Sequence, residues 1–250
     1  MAIGSLDWAR ATSGRLSASE RRALLVPILG TTLRYTRDRL RLALGLGRDA
    51  IPGLDPDAIA IPDSRLAQEA ERECRETLTP AMANHSYRTF LFGLALASLD
   101  RVELDVEHLY AACLLHDIAL ETPSSERCFA VAGAERVREI AMRAGVDAKT
   151  GESLAEAVAM HITPGVGYER GPLAPTIAAG AMLDLLGLRL CEVPADYVER
   201  AFARHPRHGC AQHLAACWRR EAKTFPAGRA AFVERYAGFS LFLRMAPFSE

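Results

Sequence analysis

Four polar residues stand where helical periodicity calls for apolar ones. His85 shares a helix face with Met82, Thr89, Phe92 and Leu96. His116 follows Leu109, Ala112 and Cys113 at offsets of seven, four and three, and His161 follows Leu154, Ala157 and Val158 at the same offsets. Asp184 follows Ile177, Gly180 and Ala181 likewise, and Leu188 continues that face. These spacings put each polar group on a buried stripe. A buried carboxylate is costly without a positive partner. No Lys or Arg lies three or four residues from Asp184, so a metal ion is its simplest partner; a distant arginine or backbone amides would also serve. Any one of these residues has an ordinary explanation as a hydrogen-bonded core group. Their coincidence on several helices favours a metal-binding cluster.

The elements that must position them are helical throughout, with no alternating β pattern. A long amphipathic segment runs from about Ser19 to Leu46 and stops at Gly45 and Gly47. Residues Arg48 to Ile61, with Pro52, Gly53 and Pro56, read as a loop. A polar helix capped by Asp63 extends to about Thr77, and Pro80 opens the next, which reaches about Leu99. Further helices are expected over Val106 to His116 (capped by Asp105), Ser124 to Ala144 (stopped by Gly145), Glu152 to His161, and Pro175 to Gly187. A glycine-rich loop occupies Thr163 to Gly171, and three or four short helices fill Pro194 to Glu250. The expected organisation is an N-terminal helical extension over 1–62, a metal-binding core over 63–190, and C-terminal helices over 191–250 packed on it as one compact domain.

Composition narrows the function. Lys and Arg total 30 against 31 Asp and Glu, for a net charge of −1, which offers no general attraction to nucleic acid. Half of the 250 residues are hydrophobic, enough to bury a large core without staples. The six cysteines are scattered with no CxxC spacing, which suits buried thiols in a reducing compartment. There is neither a signal-peptide pattern nor a run of about 20 apolar residues. A cytoplasmic protein acting on a small molecule, without membrane or nucleic-acid partners, is expected.

The segments NHSYRTFLFG (84–93), LYAACLLHDIAL (109–120) and AMLDLLGL (181–188) resemble the HD superfamily of metal-dependent enzymes. That family's signature is a histidine, a His-Asp pair and a distant aspartate. The resemblance implies an all-α HD helical bundle with extra N- and C-terminal helices, and metal ligands His85, His116, Asp117 and Asp184. The implied cofactor is one divalent transition metal ion, zinc first, with iron, manganese or cobalt as alternatives. Such an ion lowers the pKa of a bound water to about 7 and polarises a substrate. HSYR (85–88), FAVAGA (129–134), HIT (161–163) and Pro206-Arg207 resemble the cyanamide hydratase-like branch, which hydrates a small nitrile. On that likeness Asp117 and His161 are the candidate catalytic residues, and Arg88, Thr163 and Phe129 the candidate substrate contacts.

Two positions depart from the pattern. Ala119 stands where the family often has glycine, and Ala130 where the branch usually carries a glutamate, which points to a different substrate if that carboxylate takes part in substrate choice. Phosphoester hydrolysis is the second reading, with Arg88, Arg170 and the backbone of Gly165 and Gly167 as phosphate contacts. Against it, the glutamate that HD nucleotidases often place three residues after the aspartate is Leu120 here; Glu121 comes one position late, about 100° around a helix. A third reading is a non-enzymatic HD module with a structural ion. Cys210, His213 and Cys217 have spacings that could hold zinc, but positions seven apart seldom converge, so buried thiols are expected. The aromatic set Phe225, Phe232, Tyr236, Phe239, Phe242 and Phe248 reads as core, or as the subunit contact of a homodimer, rather than as substrate pocket.

Overall fold

A computed structural model describes residues 1–47 and 55–248, so most of the loop expected at 48–61 lies outside the described residues. Within them the chain is all α, with no strand. Twelve α-helices follow in order: α1 (Leu6–Thr12), α2 (Ala18–Ala43), α3 (Arg65–Thr77), α4 (Pro80–Asp100), α5 (Val106–Leu115), α6 (Phe129–Arg143), α7 (Ala148–Met160), α8 (Leu173–Leu186), α9 (Ala195–Arg204), α10 (Cys210–Thr224), α11 (Arg229–Ala237) and α12 (Phe239–Arg244). Short 3₁₀ turns at Tyr168–Arg170 and Leu190–Glu192 flank α8. None of these helices is long and apolar enough to cross a membrane.

Local chemistry accounts for most boundaries. Ser17 and Glu20 cap α2 reciprocally. Pro80 takes the first turn of α4, where its missing N–H costs nothing. Gly187 ends α8 in the left-handed region at φ 71°. Several boundaries move from the expected places, the start of α8 at Leu173 rather than Pro175 among them. Ser64 rather than Asp63 caps α3. Asp147 accepts hydrogen bonds from the amides of Lys149 and Thr150, so α7 starts at Ala148 rather than Glu152. The helix expected from Ser124 begins only at Phe129, because the Cys128 amide is held by the Ser13 carbonyl. The long α2 also differs: it buries Leu24, Ile28, Tyr35 and Asp38 but leaves Leu25, Leu29, Leu33, Leu40 and Leu44 exposed. Its apolar residues therefore occupy two faces.

Helices α4 and α8 pack against each other, and small residues set their separation. A Cβ on Gly180 would fall on the Thr89 carbonyl oxygen and lie 2.8 Å from the Gly93 nitrogen. Backbone cannot yield as a flexible side chain does. Since α4 carries His85 and α8 carries Asp184, this close approach also sets the distance between those two groups. Gly180→Ala is expected to destabilise the protein by about 1–3 kcal/mol. Denaturant titration measures it, and an unshifted midpoint would show that the helices separate freely.

Helix α10 braces the start of α6. Glu221 is buried, and its Oε1 accepts a hydrogen bond of 2.9 Å from the Phe129 amide, while Oε2 has no partner among the described residues. Burial pushes its carboxyl up from 4.5 to about 7, against the opposing effect of the Phe129 amide. The unfolded chain then releases its proton near pH 4.5, before the folded chain does. Stability therefore falls as pH rises through the window from about 4.5 to 7, by about 3 kcal/mol in all. Glu221→Gln keeps the acceptor and removes the charge. The variant should match the parent at pH 4.5 and exceed it at pH 8, as read from paired urea melts.

Candidate metal centre

Three histidines arrive from three helices, each with its Nδ1 already engaged. His116 follows the last turn of α5, where carbonyls lack helical partners, and its Nδ1 lies 2.7 Å from the Cys113 carbonyl oxygen. His161 repeats the device after α7, with Nδ1 2.6 Å from the Val158 oxygen. His85, within α4, places Nδ1 2.7 Å from Asp184 Oδ2. A carbonyl or carboxylate oxygen only accepts, so each Nδ1 carries the hydrogen and each Nε2 presents a lone pair.

These lone pairs converge with a carboxylate. His85 Nε2 and His116 Nε2 are 3.2 Å apart. Asp117 Oδ2 lies 3.7 Å from the first and 3.3 Å from the second, and Asp117 Oδ1 lies 3.4 Å from His161 Nε2. All four residues are buried. Acceptors packed this closely repel one another unless a cation joins them. Without a metal a proton is the substitute: burial would lower His116, but the Asp117 carboxylate outweighs it and raises the imidazole. Burial holds His85 and His161 toward the neutral form, against Asp184 and Asp117 respectively. Burial would raise Asp117, yet His116 and His161 hold it well below the usual carboxylate range. Neutral imidazoles and an ionised carboxylate are the donors a borderline divalent ion takes, so these residues fit such an ion.

Asp184, the fourth expected ligand, meets His85 through that residue's Nδ1 rather than its Nε2. It lies behind His85, and both its oxygens are engaged: Arg88 Nε donates to Oδ1 at 2.7 Å, Arg207 Nη1 to Oδ1 at 3.0 Å, and Arg88 Nη2 to Oδ2 at 3.0 Å. Of the partners open to it, two distant arginines meet the aspartate. Burial would raise this carboxyl too, and Arg88, His85 and Arg207 hold it low instead. Cys210 Sγ and Asp184 also approach His85 closely enough to suggest ligation, but the Arg88 guanidinium touches both and already supplies the positive charge.

Two expected substrate contacts are displaced as well. Arg88 is buried and spent on Asp184, on Cys210 and on the carbonyls of His205 and Pro206 at 2.9 Å each. Phe129 sits edge-on behind His161, with ring centroids 6.0 Å apart, and is absent from the cavity lining. Thr163 does line the cavity, and its Oγ1 accepts from Arg229 Nη1 at 2.7 Å. Cys210, His213 and Cys217 divide as their spacing implies: Cys210 meets Arg88, whereas His213 Nε2 lies 2.5 Å from Glu121 Oε1 and 3.5 Å from Cys217 Sγ. Arg207, missed as a functional residue, was flagged only by its branch-like Pro-Arg context.

The cluster lines a cavity of about 620 Å³ shared by α2, α8, α10 and α12. Phe239 and Phe242, expected as core or subunit contact, line it. Phe225, Phe232 and Phe239 belong to the buried core.

The HD domain family model matches residues 82–201, a stretch that holds His85, His116, Asp117, His161 and Asp184. Residues 82–201 of this chain are an HD domain. Two cyanamide hydratases of Saccharomyces cerevisiae, DDI2 and DDI3, are each 28% identical to it over 153 residues, covering 58% of this chain and 68% of theirs. The HD domain and these relatives support a metal-dependent hydrolase or hydratase. Arg207 lies beyond the HD match, although it grips the Asp184 carboxylate.

Proposed function

We propose that this HD-domain protein adds water to a polarised carbon of a small organic molecule, with hydration of a nitrile to an amide as the reaction. The observation that carries this reading is the convergence of imidazole lone pairs and Asp117 on the floor of a cavity. His85, His116 and Asp117 would hold the ion, with the nitrogen of His161 adjacent. When bound, a divalent ion lowers the pKa of a water to about 7 and acts as a Lewis acid. Asp184, clamped by two arginines, orients His85 and fixes its tautomer.

The chain's own groups then handle the protons. His161 is held neutral with Nε2 facing Asp117 Oδ1, so it can take a proton and have the resulting charge balanced. As the water oxygen bonds to the nitrile carbon, one water proton passes to His161 Nε2 and from there to the developing nitrogen anion. The imidic acid so formed tautomerises to the amide. Thr163 accepts from Arg229 and keeps its own hydroxyl hydrogen to donate to the substrate.

Phosphoester hydrolysis draws less support. Of its expected phosphate contacts, Arg88 is occupied by Asp184 and Arg170 by Glu156. A non-enzymatic role leaves the cavity over the cluster without a purpose.

His161→Ala is expected to lower turnover by about 10²–10⁴-fold while the bound ion remains. Steady-state rates beside metal analysis check both halves, and undiminished turnover removes His161 from the mechanism. Incubating the metal-loaded protein with cyanamide and with nucleoside monophosphates separates the chemistries: urea supports hydration, and phosphate release overturns it.

A further inference from the structure

The cavity is far larger than the smallest nitriles need. At about 620 Å³ it lies within the range that holds drug-sized ligands. Cyanamide has three heavy atoms and would displace roughly one or two waters of ~30 Å³ each. Most of the walls would then stay wet. Those walls are apolar: Ile28 of α2, Val166 of the loop after α7, Met182 and Leu186 of α8, Trp218 of α10 and Phe242 of α12 all face the space. Polar lining groups are concentrated in one cluster, His85, His116, Asp117 and His161, with Thr163 two residues beyond. Of the other charged lining groups, Asp100 and Arg189 are joined by hydrogen bonds of 2.7 Å and neutralise each other, leaving Arg34 of α2 as the remaining one among the described residues.

A site with a reactive polar floor and a long apolar wall is complementary to a molecule with a polar head and an apolar tail. We infer that the substrate is a nitrile-type group carried on an alkyl or aryl body of about drug size, with the body lying along α2 and α8 and the head at the metal centre. The inference rests on the nitrile reading for the identity of the head, and on the cavity alone for the body.

Each methylene moved from water to such a wall strengthens binding about fourfold. In titrations of the metal-loaded full chain, followed by calorimetry and by the fluorescence of Trp218, affinity should rise steadily from cyanamide through N-butylcyanamide to N-octylcyanamide. The last two should differ on the order of 100-fold. Gly30 lines the cavity from α2, and a Cβ there meets nothing within 4 Å. Gly30→Phe should therefore shorten the longest chain accepted without disturbing the fold, and Ala178→Phe makes the same test from α8, with circular dichroism checking the fold of both. Octyl binding no tighter than that of cyanamide, or unchanged in both variants, overturns the inference. Substituted-urea formation is scored separately. Tight octyl binding without urea leaves the apolar site standing and rejects nitrile hydration; brisk cyanamide hydration without octyl binding does the reverse.

Discussion

Arg88→Ala should cost the fold about 3–5 kcal/mol, the loss expected when one partner of a buried ion pair is removed and the other is left behind. Arg88 and Asp184 are both wholly buried. Deleting the guanidinium removes two of the hydrogen bonds to the carboxylate and the support of the His205 and Pro206 carbonyls, leaving Arg207 and His85 to hold the charge. Urea unfolding followed by circular dichroism measures the loss. The Arg88→Ala/Asp184→Ala double variant should recover part of it, because the stranded charge goes too. A single-variant cost below about 1 kcal/mol would mean that water reaches the aspartate, since that is the scale of an exposed pair.

The pH dependence has a definite sign. Asp184 is held below its ordinary value of 3.8 in the folded chain, burial being outweighed by Arg88, His85 and Arg207. A depressed carboxyl contributes stability that is present above the unfolded pKa and is lost as pH falls through the folded one. Its contribution is therefore complete at neutral pH and fades only in acid. Without Arg88 the carboxyl moves back up, so acid unfolding should begin at higher pH.

The second large effect concerns the ion. His116→Ala should reduce bound divalent metal from about one per chain, the single site implied by this donor set, to a trace. Turnover should fall by more than the 10²–10³-fold typical of losing a single oxyanion donor, because the ion supplies both an activated water and a Lewis acid. His116 is placed at the junction of the set, 3.2 Å from His85 Nε2 and 3.3 Å from Asp117 Oδ2. Elemental analysis after gel filtration gives the stoichiometry, and full retention of metal would remove the cluster as the centre. Asp184→Asn should fall between the extremes, with metal affinity 10–100-fold weaker, as for other groups that orient a ligand from behind.

Much of this was legible in one dimension. An offset of three, four or seven residues determines which face of its own helix a side chain occupies. That is why His85, His116 and His161 could be assigned to a buried stripe, and all three do lie inside. Pro80 and Gly187 act through their own backbone, so their helix ends were equally readable. Where a boundary depended on a distant group, as the start of α6 depends on the Ser13 carbonyl, the local pattern misled.

What lay beyond the sequence is everything that one helix asks of another. No cation neighbours Asp184 along α8, and the two that reach it come from other elements, Arg88 on α4 and Arg207 after α9. The same exchange removes Arg88 from the substrate side. The apolar cavity exists only because α2, α8, α10 and α12 stop short of filling the space between them. Periodicity sets the direction of a side chain about its own axis, whereas the distance between axes is set by packing over the whole chain. The sequence by itself thus determined an all-helical protein with inward-facing ligands. Tertiary packing decided which of them converge, which are bonded to arginines, and how much room lies beside them.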